Sequence, residues 1–348
     1  MYKEIGSSRF LSVGIGTAGF GGKFDSDYGD DDSCVHMIRS GVDAGLTFID
    51  TAENYGGGHT EELVGRAIKG VRDKVFIATK VSPDHLKFYD VIGSCEGSLK
   101  RLEVDYIDLY QIHWPNPTVP LEETMDALYK LVHSGKIRYI GVSNFSTELV
   151  FKFKTHDTER RFVSCQDEYN LVNCSNSLLS EFDDLMHIAY SPFSFMNRIL
   201  AGRDFLEMLS NKYDMSVYQV VLNYLVVHLG LMVIPKMSSE KHLVENISSM
   251  DFRLLDSEYQ MMGSIPFGFR REIDTSLIDV DILGSTVFCP SVEELSLIYI
   301  FGDREIKPIK VVLCASGRYR VVEGRVRFLA WRLAIPSIPI PSIIVKEM

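Results

Sequence analysis

The chain is 348 residues long and holds few cysteines, no long apolar run and no excess of positive charge. The six cysteines stand far apart, at Cys34, Cys95, Cys165, Cys174, Cys289 and Cys314, with no C-x-x-C pair and no His/Cys cluster at zinc-site spacing. That argues against a disulfide framework and a structural metal site, and scattered thiols suit a reducing compartment, so a cytoplasmic location and no metal are expected. The longest apolar stretch, 220–234, is interrupted by Asn223, His228 and Gly230 and stopped by Pro235. It reads as a core helix running into a buried strand, so no membrane span is expected. Residues 1–16 lack a basic stretch followed by an apolar run, and no signal peptide is expected. The balance of 36 Lys+Arg against 47 Asp+Glu gives −11, a poor match for a protein that coats nucleic acid. At 46% hydrophobic and 24% charged residues the composition excludes wholesale disorder.

What the chain does have is an alternation. Short β-branched runs at 13–16, 46–50, 75–79, 106–112, 137–142, 163–166, 187–190 and 232–235 alternate with segments of helical period. Those segments lie at 32–44, 61–69, 89–102, 121–133, 148–154, 177–182 and 216–228, with an eighth at 240–247. Eight strand–helix repeats with nearly continuous apolar strands predict a closed parallel (β/α)8 barrel, the TIM-barrel architecture of α/β proteins. Two runs flanking Gly6-Ser7-Ser8 predict an N-terminal hairpin that covers the barrel floor. The period stops after Ile265, so the reading is a barrel over 1–265, a linker over 266–281 and a small α+β domain over 282–348. Charge divides the same way. Residues 303–348 hold nine Lys/Arg and four Asp/Glu, a tail of +5, which leaves −16 on residues 1–302.

Barrels of this kind carry their reactive groups where strands end and βα loops begin. Those positions read Asp50, Lys80, His113, Ser143-Asn144, Gln166, Tyr190-Ser191 and Lys236, with Tyr55 in the loop after the second strand. Chemically, a buried Asp50 would pair with Lys80. Lys80 and His113 near the Tyr55 hydroxyl would favour phenolate and lower its pKa from about 10. A tyrosine tuned in this way can protonate a carbonyl oxygen or deprotonate an alcohol. Such a group handles the proton alone, and another agent must deliver electrons. Taken singly, each residue has a plainer reading: a helix cap for Asp50, a surface residue for Lys80, a core histidine for His113 and a surface aromatic for Tyr55. Gly14-Ile15-Gly16-Thr17-Ala18-Gly19 lacks the glycine spacing of a dinucleotide-binding Rossmann turn, and Gly16 and Thr17 read as pocket lining.

Several strings resemble the aldo-keto reductases: Asp50-Thr51-Ala52-Glu53-Asn54-Tyr55-Gly56, Ala78-Thr79-Lys80, Gln111-Ile112-His113-Trp114-Pro115, Ile140-Gly141-Val142-Ser143-Asn144-Phe145 and Ile234-Pro235-Lys236. The resemblance runs in order over about residues 1–262 and implies a barrel that binds NADP(H), with NAD(H) left open, and reduces an aldehyde or ketone by hydride transfer. By it Asp50, Tyr55, Lys80 and His113 form a catalytic tetrad with Tyr55 as general acid. Ser143, Asn144 and Gln166 would hold the nicotinamide carboxamide, Tyr190 would stack on the ring, and Ser191 would open the loop over the pyrophosphate. Lys236 and Ser238 would face the 2′-phosphate, and Glu245 and Asn246 the adenine. His242 stands where many members have Arg or Gln, a weaker and pH-dependent charge. Trp114 is a candidate wall of the substrate pocket.

The tail carries a second resemblance. Asp279-Val280-Asp281, Lys307-Pro308-Ile309-Lys310-Val311 and Tyr319-Arg320-Val321-Val322-Glu323-Gly324-Arg325-Val326-Arg327-Phe328-Leu329-Ala330 look like the ParB/sulfiredoxin-type fold. Relatives of that fold bind nucleotides or DNA or transfer phosphate. The resemblance leaves open a nucleotide site there or a regulatory or relic module; with five net positive charges and no interleaved aromatics, sequence-specific DNA binding is not expected. Two alternatives stay open beside the reductase: a cofactor-binding regulatory protein without turnover, and a nucleotide-dependent phosphotransferase or nuclease residing in the tail.

Overall fold

A computed structural model of the chain describes residues 1–171, 178–194, 196, 199–264, 268–273, 278–279, 309–313, 319–323 and 340–345. They divide into two compact units. The first comprises Met1–Asn170, Asn176–Phe193 and Tyr218–Leu254; the second comprises Leu171–Ser175, Ser194–Val217 and Leu255–Met348.

The first unit opens with the hairpin β1 (Tyr2–Ile5) and β2 (Ser8–Leu11), paired antiparallel with Ile5 opposite Ser8. Its turn needs glycine: Gly6 has φ +56°, and a Cβ there would lie 1.9 Å from the Tyr139 hydroxyl. Phe10 points into the barrel floor, its ring 5.0 Å from that of Phe48 and 5.2 Å from that of Phe76. Ile5 joins the same buried cluster, with Leu109, Ile188 and Met232. The hairpin is therefore a hydrophobic plug, as its sequence predicts.

Eight parallel strands follow: β3 (Ile15–Gly16), β4 (Phe48–Asp50), β5 (Phe76–Val81), β6 (Ile107–Ile112), β7 (Ile137–Ser143), β8 (Phe162–Glu168), β9 (Met186–Tyr190) and, after β10 (Ile199–Ala201), β11 (Met232–Val233). Each pairs with the next in the order β11-β9-β8-β7-β6-β5-β4-β3. Parallel bridges Val13–Val233 and Gly16–Lys236 join the two ends. The sheet thus curls into a (β/α)8 barrel. Every residue of β5 and of β6 is buried, as expected when both faces of a strand are covered.

The helices are α1 (Asp31–Asp43), α2 (His59–Ile68), α3 (Phe88–Leu102), α4 (Leu121–His133), α5 (Thr147–His156), α6 (Leu178–Glu181), α7 (Arg203–Tyr213), α8 (Val217–Asn223), α9 (Glu240–Ser248) and α10 (Asp256–Ser264). α4 shows why such segments fold. Thr124, Met125, Ala127, Leu128 and Leu131 make one buried stripe, while Glu122 and Glu123 open the helix and Lys130 and His133 close it. The helix expected over 216–228 is divided: α8 passes into a π-turn at Tyr224–His228, where the Leu229 N–H reaches back to the Tyr224 carbonyl. No helix among the described residues is long and apolar enough to cross a membrane.

The second unit corrects the sequence reading. The presumed linker contributes β12 (Gly268–Ile273) and β13 (Ile278–Asp279) to a six-stranded mixed sheet. β14 (Ile309–Leu313), β15 (Tyr319–Glu323) and β16 (Ile340–Val345) complete it, in the order β10-β12-β16-β14-β15-β13. Gly268 opens β12, so this stretch is not wholly a connection. The string Gly324-Arg325-Val326-Arg327 that carries much of the second resemblance lies outside the described residues, as do Cys174, Cys289 and Cys314.

Candidate active site

Asp50 ends β4, and its position is fixed from behind. The Thr17 N–H and hydroxyl both donate to the Asp50 carbonyl, at 3.1 and 2.8 Å. Lys80 is the penultimate residue of β5 and is fully buried. Its ammonium donates to Asp50 Oδ2 at 2.6 Å, to the Thr51 carbonyl at 2.9 Å and to the Tyr55 hydroxyl at 3.4 Å. Tyr55 opens a tight turn, Tyr55–Gly58, in which Gly56, Gly57 and Gly58 all have positive φ. A Cβ on Gly56 would lie 2.5 Å from the Gly21 carbonyl, so the glycines let the loop after β3 close over Tyr55. Ser26 and Lys23 tie that loop to the Gly56 backbone. His113 follows β6 directly, and its ring meets that of Tyr55 edge-on at 5.6 Å. The four side chains expected at one rim converge there.

The electrostatics differ from expectation at the phenol. Burial raises the Tyr55 pKa and outweighs the lowering by the Lys80 charge. The expected net fall is therefore corrected to a rise. Burial and the Lys80 charge hold His113 down at about 3, so it is a neutral imidazole and adds no positive charge. Burial opposes the charge on Lys80, but Asp50 and Tyr55 more than offset it and hold its pKa above the ordinary value. Tyr55 thus keeps its proton at neutral pH beside a fixed cation, an arrangement able to donate a proton to an oxygen and stabilise the phenolate left behind.

A second row of polar groups runs along the rim. Asn144 follows Ser143 at φ +60°, a conformation asparagine tolerates. Its Nδ2 donates to the His113 carbonyl and to Ser143 Oγ, both at 3.0 Å, while its Oδ1 accepts from the Tyr190 hydroxyl at 2.7 Å. Gln166 is turned inward, its amide donating to Asp50 Oδ1 at 2.7 Å. Ser191, next after Tyr190, also has positive φ. Gly16 lies against the β11 end, where a Cβ would come 2.4 Å from the Ile234 carbonyl.

Beyond this row lies a cleft of about 380 Å³ lined by Gly19–Lys23, Cys34, Lys236 and Ser238 among others. The Lys236 ammonium donates to the Gly19 carbonyl at 3.0 Å and lies over the Phe20 ring; among the described residues it has no carboxylate partner. Ser238 Oγ and His242 Nδ1 are 3.1 Å apart. Glu245 faces Lys241 at 3.9 Å, and the buried Asn246 has an Nδ2 with no partner. A cleft lined by a lysine without a carboxylate partner among the described residues fits an anionic ligand such as a dinucleotide phosphate. Trp114 is half exposed and is not part of the Asp50 group. No group of three or more His, Cys, Asp or Glu among the described residues is arranged to hold a metal.

The sequence reading passed over Gln111, whose amide stands 3.5 Å from Asp50 Oδ1. The signal was present: period-two alternation along β6 puts residue 111 on the same face as His113. It also passed over the buried Glu61, which accepts from Thr79 at 2.5 Å and from Arg101 at 2.7 Å and so anchors the start of α2 just after the Tyr55 turn.

A parallel (β/α)8 barrel with a buried Asp–Lys pair, a phenol and a neutral imidazole at the strand ends defines a barrel enzyme architecture. The chain belongs to the aldo/keto reductase family, whose sequence profile matches residues 12–265. Methylglyoxal reductase YeaE of Escherichia coli (strain K12) is 34% identical over 239 residues, 66% of this chain and 82% of that protein. Aldo-keto reductase YhdN of Bacillus subtilis (strain 168) is 46% identical over 154 residues, but that match spans 41% of this chain and 46% of the relative. Among solved structures, the thermostable aldo-keto reductase Tm1743 in complex with epalrestat superposes with a TM-score of 0.72 at 38% identity, over 76% of this chain and 99% of that one. An aldo/keto reductase from Klebsiella pneumoniae in complex with NADP and acetate superposes with 0.66 at 34% identity, over 73% and 91%. The family match ends at residue 265, and nothing in it supports the ParB/sulfiredoxin-like resemblance of 282–348.

Proposed function

We propose that the chain is an NADP(H)-dependent oxidoreductase that reduces a small aldehyde or ketone to an alcohol. The observation that carries this reading is the Tyr55 hydroxyl 3.4 Å from a buried Lys80 ammonium, itself held by Asp50 at 2.6 Å. The bound cofactor would supply hydride to the carbonyl carbon. Tyr55 donates the proton to the carbonyl oxygen, Lys80 stabilises the phenolate, and Asp50 fixes Lys80. Neutral His113 donates a hydrogen bond that orients the substrate oxygen. Ser143, Asn144 and Gln166 would hold the nicotinamide carboxamide, Tyr190 would stack on its ring and Ser191 would open the strap over the pyrophosphate. Lys236, Ser238 and His242 would face the 2′-phosphate, Glu245 and Asn246 the adenine, and Gly16 and Thr17 would line the pocket. Trp114 forms a wall for the substrate.

The similarity to a methylglyoxal reductase and to the glyoxal reductase of Bacillus subtilis (32% identical over 237 residues) makes 2-oxoaldehydes the first substrates to assay. The test is oxidation of NADPH and, separately, of NADH with methylglyoxal and a panel of simple aldehydes and ketones. Carbonyl-dependent oxidation of NADPH supports the reading. Tight NADPH binding with no turnover on any carbonyl favours the regulatory alternative. The cytoplasmic location is a proposal of the same kind, tested by cell fractionation. The nucleotide proposed for the tail rests on its sequence string alone, and titrating the full chain with ATP and CTP tests it. Heat release on titration supports a site there, and none removes it.

A further inference from the structure

Two glutamine amides converge on one carboxylate oxygen. Gln166 on β8 donates to Asp50 Oδ1 at 2.7 Å, and Gln111 on β6 points its Nε2 at the same atom from 3.5 Å. Gln111 is fully buried, and its carbonyl oxygen has no partner; neither has the neighbouring Ser164 hydroxyl. Room for this idle side chain comes from Gly141. A Cβ there would lie 2.9 Å from Gln111 Cγ, 3.2 Å from its Oε1 and 2.4 Å from Ser164 Oγ. A buried glutamine with half its hydrogen-bonding capacity unused is costly to keep and needs a reason.

The reason lies in the double duty of Gln166. In the reading under "Proposed function", on which this inference rests, Gln166 must reach the nicotinamide carboxamide, yet here its amide nitrogen is turned to Asp50. If it turns away, Asp50 Oδ1 loses the one short donor it has among the described residues, leaving whatever Gln111 supplies. We propose that Gln111 is a positioning residue that takes over Asp50 Oδ1 when Gln166 turns to the cofactor, so that the Asp50–Lys80 pair stays hydrogen-bonded in both states. A closure of about half an ångström brings its 3.5 Å contact to ordinary hydrogen-bond length. The missing Cβ at Gly141 is what lets the Gln111 side chain pack there, within reach of Asp50.

The test is Gln111→Met, which keeps length and volume and removes the amide. Because the 3.5 Å contact contributes little without cofactor, the thermal midpoint of the cofactor-free protein should change by no more than about 2–4 °C, the effect of about 1 kcal/mol in a domain this size. The NADPH Kd, read by fluorescence titration, should rise about tenfold, equivalent to about 1.4 kcal/mol. The KM for NADPH should rise by more than kcat falls. In a Gln166→Met background Gln111 is the sole amide on Asp50 whether or not cofactor is bound, so adding Gln111→Met should leave the Kd of that background unchanged. Gln111→Asn, an amide drawn back by one methylene, should weaken NADPH as the methionine does. An unchanged Kd in Gln111→Met overturns the inference, as does a collapsed midpoint accompanied by an unchanged Kd in Gln111→Asn. An undiminished effect in the Gln166→Met background also overturns it. A native chain that binds neither NADPH nor NADH overturns the functional reading itself, and the inference with it.

Discussion

Lys80→Met tests the electrostatic frame of the site. Lys80 is fully buried, its Asp50 partner is nearly so, and the pair is separated by 2.6 Å. Methionine fills the same volume but leaves the Asp50 carboxylate with two neutral amides in place of a cation. Breaking a buried pair by removing one partner costs about 3–5 kcal/mol. At about 2–4 °C per kcal/mol for a domain of this size, the barrel's thermal midpoint should fall by about 6–20 °C. Two further consequences follow from the same charge. His113, held at about 3 by burial and by Lys80, should titrate higher while staying below its ordinary value, because burial is the larger cause. The Tyr55 phenol should become harder to ionise, since its one lowering charge is gone. Turnover should fall by at least about a hundredfold, the lower end of what a positioned proton donor contributes. The assays are a thermal scan by circular dichroism, histidine NMR against pH, and NADPH oxidation. A midpoint lowered by less than about 2 °C would refute the reasoning, because the carboxylate could not then be as buried and dependent as described.

Other predictions follow the same physics. Burial lifts the Asp167 carboxyl from 3.8 to about 6. The folded chain therefore binds a proton that the unfolded chain releases, and stability present below pH 4 is lost as pH rises to about 6, by about 3 kcal/mol. Asp167→Asn should stabilise the barrel at pH 7 by about 1–3 kcal/mol and hardly at pH 4, read from urea midpoints at the two pH values. Phe10→Ala removes the ring that plugs the floor against Phe48 and Phe76. It should cost about 3–5 kcal/mol by chemical denaturation. Gly56→Ala forces a Cβ to 2.5 Å from the Gly21 carbonyl at φ +54° and should cut kcat more than it lowers stability. With His113 at about 3, the rate profile should show no limb between pH 5 and 8 from this imidazole.

Much of this was legible before any coordinate. The eight strands read as short runs rich in apolar residues, as a closed parallel sheet demands because helices cover the outside and side chains fill the inside. The rim residues were legible for the same reason: strand ends are where polar groups can stand beside a solvent-filled mouth. The second unit was not. β10 pairs with β12 across more than sixty residues, and such a partner leaves no local period to read. α7 had a readable stripe in Leu206 and Leu209, but it is short and stands amid loop text. The direction of the Tyr55 shift was hidden because it depends on burial, which comes from the β3 loop folding over three glycines. Nothing in the sequence near Tyr55 announces that cover. Gln111 was visible by alternation but has no meaning until Asp50 is seen to receive two amides.

The central claim is that the Tyr55 hydroxyl is the proton donor of a carbonyl reduction. Its most direct test is Tyr55→Phe, assayed by single-turnover oxidation of bound NADPH with methylglyoxal, alongside a fluorescence measurement of NADPH affinity. The account predicts a rate lower by about 10²–10⁴-fold with the affinity little changed. A variant that oxidises NADPH at the native rate would contradict it.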